Sequence, residues 1–141
     1  MRISIASDHA GFKYKEKIKI YLLEKGYEII DHGVFSEESA DYPDYIKPAA
    51  IDVANNDADK GIGICGSGIG VSIVANKVNG VRAALVLNEQ TAALSVQHNN
   101  ANFLALSQNQ TSETDLYKIV DTWLSSTFEG GRHERRVNKI E

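Results

Sequence analysis

The feature that most constrains the fold is a glycine-rich stretch in the middle of the chain, from Gly61 to Ser72, which reads GIGICGSGIGVS. An apolar run, Ile62 to Ile64, leads into it and predicts a short buried strand. The glycines after that run allow the backbone to turn sharply and to bring its N–H groups close to a ligand. A helix is predicted to start at Val71. Strand, glycine turn and helix together present amides and the positive end of a helix to an anion.

The single cysteine of the chain, Cys65, lies at the end of this strand, where the turn begins. Amide dipoles at such a position favour the thiolate, which is the reactive form of the side chain. Two structural alternatives stand beside this functional interpretation. Glycines after a strand can serve tight strand-to-helix packing alone, and a lone cysteine is often a small buried hydrophobe.

The composition excludes several classes of protein. A chain of 141 residues suffices for one domain with a full core, and 43% hydrophobic residues with 24% charged residues is ordinary for a globular protein. A formal net charge of −4 argues against a nucleic-acid partner. The N-terminal residues do not resemble a signal peptide and no apolar run is long enough to span a bilayer, so we expect no membrane partner and a cytoplasmic location.

Hydrophobic periodicity predicts five strands alternating with helices. The predicted strands cover residues 3–7, 27–31, 61–64, 81–87 and 102–106, and the predicted helices cover 12–25, 45–55, 71–77, 89–97 and 111–125. This alternation indicates a single α/β domain over residues 1–141, a three-layer Rossmann-like fold with a five-stranded parallel sheet and helices on both faces. The fourth strand is apolar after Arg82, which predicts a central position. A basic C-terminal tail follows Gly130-Gly131.

Local signals refine the helices. The lysines of the first helix are expected on its solvent face, opposite Ile18 and Leu22. Residues 36–44 predict a polar loop that contains Tyr42, and Pro48 is expected in the first turn of the second helix, where proline is tolerated. Asn88 is a predicted N-cap of the fourth helix.

Chemically useful side chains are expected at the carboxyl ends of the strands, where open α/β sheets bind ligands. Asp8 and His9 follow the first strand, Cys65 and the glycine turn follow the third, and His98-Asn99 lie in the connection before the fifth. These groups share one crevice, or one of them comes from a neighbouring subunit. The structural alternatives are a helix cap for Asp8 and solvated loop positions for the histidines.

The C-terminal tail carries two arginines four residues apart, Arg132 and Arg136, which a helix would place on the same side. Two guanidinium groups on one face form a phosphate clamp. The double glycine before them allows the tail to fold back over the site. The alternative is a solvated basic surface, as most charge runs are.

Other glycine-loop and metal interpretations fit worse. A P-loop needs Gly-Lys-Ser or Gly-Lys-Thr, and no lysine lies between Cys65 and Ser72. The glycines at 66, 68 and 70 do not have the spacing of a dinucleotide-binding loop. The four histidines and the one cysteine show no metal-ligand spacing, so we expect no metal.

Taken together, the motifs along the chain resemble those of the ribose-5-phosphate isomerase B family, whose wider group includes isomerases of allose 6-phosphate and galactose 6-phosphate. The resemblance covers essentially the whole chain with the motifs in the same order. It is carried by Ser7-Asp8-His9-Ala10-Gly11, Asp41-Tyr42-Pro43, residues 63–70, Ala75-Asn76-Lys77, Arg82-Ala83-Ala84, Gln97-His98-Asn99 and residues 129–136.

The resemblance implies a cofactor-free aldose–ketose isomerase that acts on a phosphosugar as a homodimer or a dimer of dimers with shared active sites. By position it implies that Cys65 moves a proton between C1 and C2, that Ser67 and the turn amides stabilise the enediolate, and that His98 helps to open the furanose ring. The implied substrate-binding residues are Asp8, His9, Tyr42, Gly66, Ser67, Gly68, Ile69, Gly70, Asn99, Asn109, Arg132 and Arg136.

Within that set the resemblance assigns different parts of the substrate. Asp8 and Asn99 would bind sugar hydroxyls, Tyr42 would line the ring pocket, and His9 would hold the phosphate together with the two tail arginines. In the family, the partner subunit commonly supplies the residues at positions 98 and 99.

One position departs from the family pattern. Many members carry an arginine that reaches the phosphate shortly after the fifth strand, and this chain has Asn109 there. An amide can hydrogen-bond phosphate but brings no charge. The departure leaves open weaker phosphate binding, a different sugar such as allose 6-phosphate, or a galactose 6-phosphate isomerase subunit. Separately, the alternative from another class is a non-catalytic phosphosugar-binding protein with the same fold.

Overall fold

The computed structural model describes all 141 residues, and its centre is one five-stranded parallel sheet. The strands are β1 (Arg2–Ser7), β2 (Glu28–Asp31), β3 (Lys60–Cys65), β4 (Ala83–Leu85) and β5 (Phe103–Ser107). The helices are α1 (Phe12–Glu24), α2 (Tyr42–Ala54), α3 (Ile69–Asn76), α4 (Glu89–Gln97), α5 (Glu113–Ser125) and α6 (Arg132–Val137), and a short 3₁₀ turn, His9–Gly11, precedes α1. None of these helices is both long enough and apolar enough to cross a membrane.

Helices cover both faces of the sheet, as predicted. Side chains of α1, α4 and α5 form one buried cluster with Ile62 and Ile64 of β3. Side chains of α2 and α3 form a second cluster, which includes Cys65 and Phe103. The alternation along β3 follows from the two-residue period of a strand. At Gly63 an added Cβ would lie 2.6 Å from Val71 Cγ1, so the bare glycine lets α3 pack directly on the strand that leads to Cys65.

The strand order across the sheet is β2-β1-β3-β5-β4, so the prediction of a central β4 is wrong. β4 is an edge strand of three residues rather than seven. Its apolar character misled the prediction because Leu85 and the following Leu87 remain 37% and 43% exposed at the surface. Apolar residues on an edge strand mark a surface that another element or another molecule can cover.

An asparagine side chain closes part of the open side of β4. Asn76, the last residue of α3, donates from Nδ2 to the Ala83 carbonyl oxygen at 3.0 Å and accepts from the Ala83 N–H at 2.8 Å. The carboxamide therefore makes the pair of hydrogen bonds that a neighbouring strand would make at this residue.

Helix α2 starts earlier than predicted. It begins at Tyr42 with Asp41 as its N-cap and Pro43 in the first turn, so Tyr42 belongs to a helix and not to a loop. Pro48 lies inside the helix rather than in its first turn, and it leaves the carbonyl of Asp44 without an i→i−4 donor. The predicted cap of α4 is confirmed, because Asn88 Oδ1 accepts from the Thr91 N–H at 2.8 Å.

One lysine of α1 is buried, contrary to the prediction. The side chain of Lys15 is fully buried, and its Nζ lies 2.9 and 2.7 Å from the two carboxylate oxygens of Asp31 at the end of β2. Burial opposes ionisation of Asp31, but hydrogen bonds from Lys15, the Gly33 N–H and Lys19 outweigh it and lower the pKa of Asp31. The pair ties α1 to the sheet through a charge interaction that hydrophobic periodicity does not reveal.

Candidate active site

The turn after β3 places unpaired amide donors beside a cysteine sulfur. The Gly68 N–H donates to Cys65 Sγ at 3.1 Å, and Gly68 has a φ of 77°, a conformation that favours glycine. The N–H groups of Gly66, Ser67 and Gly70 have no acceptor in the chain. α3 begins at Ile69, so the positive end of its dipole also faces the turn. The turn therefore presents several hydrogen-bond donors, next to the thiol, to a negatively charged group of a ligand.

A buried serine that the sequence analysis did not single out holds this turn in place. Ser107, at the end of β5, is paired in register with Cys65 and is fully buried. Its hydroxyl donates to the Gly66 carbonyl oxygen at 2.7 Å and accepts from the Gln110 N–H at 3.1 Å. The available sequence signal was a hydroxyl residue directly after an apolar strand.

Asp8 and His9 lie at the same edge of the sheet, which we call the carboxyl edge because all five parallel strands end there. Asp8 is 8% exposed and accepts from the Gly11 N–H at 3.1 Å, so its carboxylate caps the 3₁₀ turn, and its own N–H donates to the Ile64 carbonyl beside Cys65. His9 is exposed, and its Nδ1 lies 3.1 Å from the Ala40 N–H.

Tyr42 and Asn109 both contact the glycine turn. A Cβ added at Gly70 would lie 2.7 Å from Tyr42 Cζ, so the phenol ring lies directly against that glycine. Asn109 donates its backbone N–H to the Gly66 carbonyl at 3.1 Å, and a Cβ added at Gly66 would lie 3.0 Å from Asn109 Nδ2. The carboxyl edge thus brings together one half of the predicted site.

The other half lies elsewhere in the same chain. His98 follows α4 and precedes β5, so it lies at the opposite edge of the sheet, the amino edge, where the strands begin. The prediction that His98 and Asn99 lie at the carboxyl ends of the strands is therefore wrong. β3 alone is 6 residues long and separates the two edges by roughly 16 Å. The predicted single crevice does not form within one chain.

The C-terminal tail also packs at the amino edge. The Glu129 N–H donates to the Gln97 carbonyl at 3.0 Å, and Glu141 Oε1 accepts from the Gly80 N–H at 2.6 Å, close to the start of β4. Arg132 and Arg136 lie on the helix between these contacts, both exposed. The tail is helical, but it folds over the amino edge and not over Cys65 of its own chain, contrary to the expectation.

The largest cavity, about 510 Å³, lies at the amino edge. Its lining residues include Asn99, Arg82 and Ser95, together with Ile140 and Glu141 of the tail. No cavity of the isolated chain contains Cys65. The half-site at the carboxyl edge is therefore open in the single chain.

His98 has two close neighbours that the sequence analysis did not assign. Its ring is stacked on that of His133, with centroids 4.2 Å apart and 11° between the planes, and its Nε2 lies 3.5 Å from Glu129 Oε1. Partial burial, the His98 ring and the Arg132 guanidinium lower the pKa of His133. Both missed residues flank the Gly130-Gly131 pair, which was the signal available in the sequence.

A strip of exposed apolar side chains runs along the β4 side of the molecule. It consists of Ile69, Ile73, Leu85, Leu87 and Leu94, each between 36% and 55% exposed. These residues come from α3, β4, the segment after β4, and α4. The strip lies beside the glycine turn, since a Cβ added at Gly68 would lie 2.5 Å from Leu85 Cδ1.

Comparison with known proteins identifies the family to which this chain belongs. Residues 3–140 match the family model described as Ribose/Galactose Isomerase. The chain is 44% identical over 139 residues to the ribose-5-phosphate isomerase B of Escherichia coli, covering 99% of this chain and 93% of that protein.

Two solved structures give the same result for the fold. The ribose-5-phosphate isomerase B of Clostridium thermocellum matches with a TM-score of 0.98 at 48% identity, covering 99% of this chain and 95% of that one. The Mycoplasma genitalium enzyme, solved with bound ribulose-5-phosphate, matches with a TM-score of 0.94 at 48% identity, covering 99% and 93%. By sequence over nearly its whole length and by fold, the chain belongs to the ribose/galactose isomerase family.

Proposed function

We propose that this protein interconverts D-ribose 5-phosphate and D-ribulose 5-phosphate by a cofactor-free proton transfer. The observation that carries the proposal is the thiol of Cys65 next to a turn with three unpaired, half-exposed amides. Relatives named ribose-5-phosphate isomerase B and the solved relative with bound ribulose-5-phosphate support the same substrate.

The chemistry at C1 and C2 needs one base and a stabilised oxyanion. In the open-chain aldose, the Cys65 thiolate takes the proton from C2 and leaves a cis-enediolate. Returning that proton to C1, while the O2 proton moves to O1, gives the ketose. The unpaired amides of Gly66 and Ser67, with the Ser67 hydroxyl, bind the oxyanion, and each such donor is typically worth about 3–4 kcal/mol.

The remaining residues bind and prepare the sugar. Asp8 and Asn99 bind hydroxyl groups, Tyr42 lines the ring pocket beside Gly70, and His98 assists ring opening. His9, Arg132 and Arg136 hold the phosphate, and Asn109 reaches it through its carboxamide without adding charge. Binding energy from the phosphate end then helps to orient C1 and C2 toward the thiol.

The complete site forms between two copies of the chain. Asp8, His9, Tyr42, Cys65 and the glycine turn lie at the carboxyl edge, whereas His98, Asn99, Arg132 and Arg136 lie at the amino edge. A second copy that covers the exposed strip from Ile69 to Leu94 would bring its amino edge to the first copy's carboxyl edge. Two-fold symmetry produces two such composite sites per homodimer, and a dimer of dimers would repeat them.

The test is an isomerisation assay with three substrates: ribose 5-phosphate, allose 6-phosphate and galactose 6-phosphate. We expect the highest kcat/KM on ribose 5-phosphate. The galactose substrate is included because the matching family model names both activities. A higher kcat/KM on either hexose phosphate would replace the proposed substrate. Binding of ribose 5-phosphate without turnover would show that the protein is a phosphosugar-binding protein and not an isomerase.

A further inference from the structure

Three metal-ligating side chains meet at the amino edge. The ligand atoms of His98, Glu129 and His133 all lie within 4.8 Å of one another, and His98 Nε2 is 3.5 Å from Glu129 Oε1. The two imidazole rings are stacked 4.2 Å apart. Two imidazoles and one carboxylate on a half-exposed surface form the donor set that Zn²⁺ takes in open sites with three protein ligands.

The backbone holds the two segments that carry these ligands. His98 is the C-cap residue of α4, and the Glu129 N–H donates to the carbonyl of Gln97, the residue next to His98. His133 lies in the first turn of α6, and the chain after α6 is attached to Gly80 through Glu141. The ligands therefore converge because α4 and the tail are joined on both sides of them.

We propose that His98, Glu129 and His133 bind a divalent transition-metal ion, for which Zn²⁺ is the test case, and that the bound ion removes His98 from substrate. Tetrahedral coordination with bonds near 2.0 Å requires ligand atoms about 3.3 Å apart. Each side chain reaches that spacing by a movement of about 1 Å from the observed positions, with the stacked rings turning toward each other.

Nearby charge limits the affinity. Arg132 and Arg136 are on the same short helix as His133 and repel a cation, whereas Glu129 is the single carboxylate in the ligand set. We therefore expect binding weaker than that of a structural zinc site with four ligands. Mg²⁺ should not compete, because it prefers oxygen ligands to imidazole.

The ion would act as an inhibitor and not as a cofactor. Zinc bound to His98 Nε2 occupies the side chain that is proposed to assist ring opening. Added Zn²⁺ should then lower kcat/KM for ribose 5-phosphate. This one consequence rests on the proposed function, whereas metal binding itself does not.

The direct test is calorimetric titration of the full-length protein with ZnCl₂ in a buffer that does not bind metal. The unmodified protein should bind one Zn²⁺ per chain, and His133→Ala and Glu129→Gln should each weaken binding by at least about tenfold. Cys65→Ala is the matched control, because it removes the single thiol of the chain, which lies at the opposite edge. This control should retain the affinity.

Thermal melts without metal establish that each variant is folded. Glu129 is exposed and His133 is only partly buried, so truncation should leave the fold intact. Unchanged zinc affinity in folded His133→Ala and Glu129→Gln would overturn the site, as would loss of binding in Cys65→Ala. Zinc binding that depends on these residues in a protein with no isomerase activity would support the metal site and count against the proposed function alone.

Discussion

The Ser107 hydroxyl donates a hydrogen bond of 2.7 Å to the carbonyl oxygen of Gly66. In a trans peptide the C=O of one residue points away from the N–H of the next. Holding the Gly66 carbonyl toward β5 therefore aims the Ser67 N–H away from the sheet core, and this N–H has no acceptor in the chain. Ser107 thus acts on the oxyanion donors through Gly66, as a positioning residue.

Ser107→Ala should lower kcat by about tenfold, less than the 100-fold or greater loss that follows removal of an oxyanion donor itself. KM should change little, because the phosphate contacts stay. Steady-state kinetics measures both. The control is Ser112→Ala, which removes the N-cap hydrogen bond to Asp115 of α5 and also costs about 1 kcal/mol of stability. Equal loss of kcat in the two variants would assign the effect to stability.

Replacing Cys65 with alanine should reduce isomerisation by at least about 100-fold, because the reaction loses its base. Incorporation of solvent deuterium at C2 should disappear in parallel. Stabilisation of the fold by ribose 5-phosphate, measured by thermal melts, should persist. Near-normal turnover in Cys65→Ala would assign proton transfer to another residue.

Two inactive variants should restore each other if the site is shared. A Cys65→Ala chain retains an intact amino edge, and a His98→Asn chain retains an intact carboxyl edge. Random mixing after subunit exchange should recover about a quarter of the unmodified rate, since half of the dimers are hybrid and each has one intact site. Mass spectrometry must confirm exchange, and exchange without recovered activity would contradict a site shared between two chains.

Arg132→Ala and Arg136→Ala should each raise KM for ribose 5-phosphate at least about tenfold, because each loses charge-assisted hydrogen bonds to the phosphate. Melting temperature without ligand should hardly move, since both side chains are exposed. Stabilisation by inorganic phosphate should shrink. Arg135→Ala, from the same helix, is the matched control and should retain the KM. An unchanged KM in Arg136→Ala would contradict the phosphate-binding role and would indicate that the tail is an ordinary solvated surface.

The Lys15–Asp31 pair predicts an acid-sensitive contribution to stability. The pKa of Asp31 is lower in the folded chain than in the unfolded one, so the stabilisation is complete above the unfolded pKa of about 3.9 and is lost as pH falls through the folded pKa below it. Asp31→Asn should cost about 3 kcal/mol or more at pH 7, because it removes the closer of the two carboxylates that pair with the buried Lys15 and leaves only Glu16, at 3.3 Å.

Urea unfolding at neutral and acidic pH measures the difference in free energy of unfolding between the unmodified protein and Asp31→Asn. This difference should become smaller as the pH falls below the folded pKa of Asp31. Glu113→Gln provides the comparison, since its ion pair with Lys17 is exposed and contributes little. A cost for Asp31→Asn that is no larger than that for Glu113→Gln would contradict the role of the buried pair.

The sequence predicted the parallel α/β fold and the glycine turn, because local periodicity and glycine spacing determine both. It did not predict the edge position of β4. An apolar residue such as Leu85 gives the same sequence pattern whether it is covered by the core of its own chain or by another molecule. Nor did it predict the burial of Lys15, because that depends on Asp31, sixteen residues further along the chain.

In the candidate site, too, some residues could be placed from the sequence and others could not. Residues that directly follow a strand, such as Asp8 and Cys65, could be placed from the strand pattern. The same pattern could have placed His98, because a residue that follows a helix and precedes a parallel strand lies at the amino edge, but it was grouped with the residues that follow strands. The Glu129 and His133 neighbours of His98 required the path of the tail, which no periodicity encodes.

The carboxamide of Asn76 on β4 has a consequence for how molecules of this protein can meet. An uncapped edge strand invites another strand to add to it, which is a route to runaway aggregation. With the N–H and C=O of Ala83 already occupied, a second molecule cannot extend the sheet at this residue and must dock through side chains. The same asparagine therefore leaves the exposed apolar side chains of the β4 side free to pair with one specific partner, and it prevents other strands from adding to the sheet at Ala83.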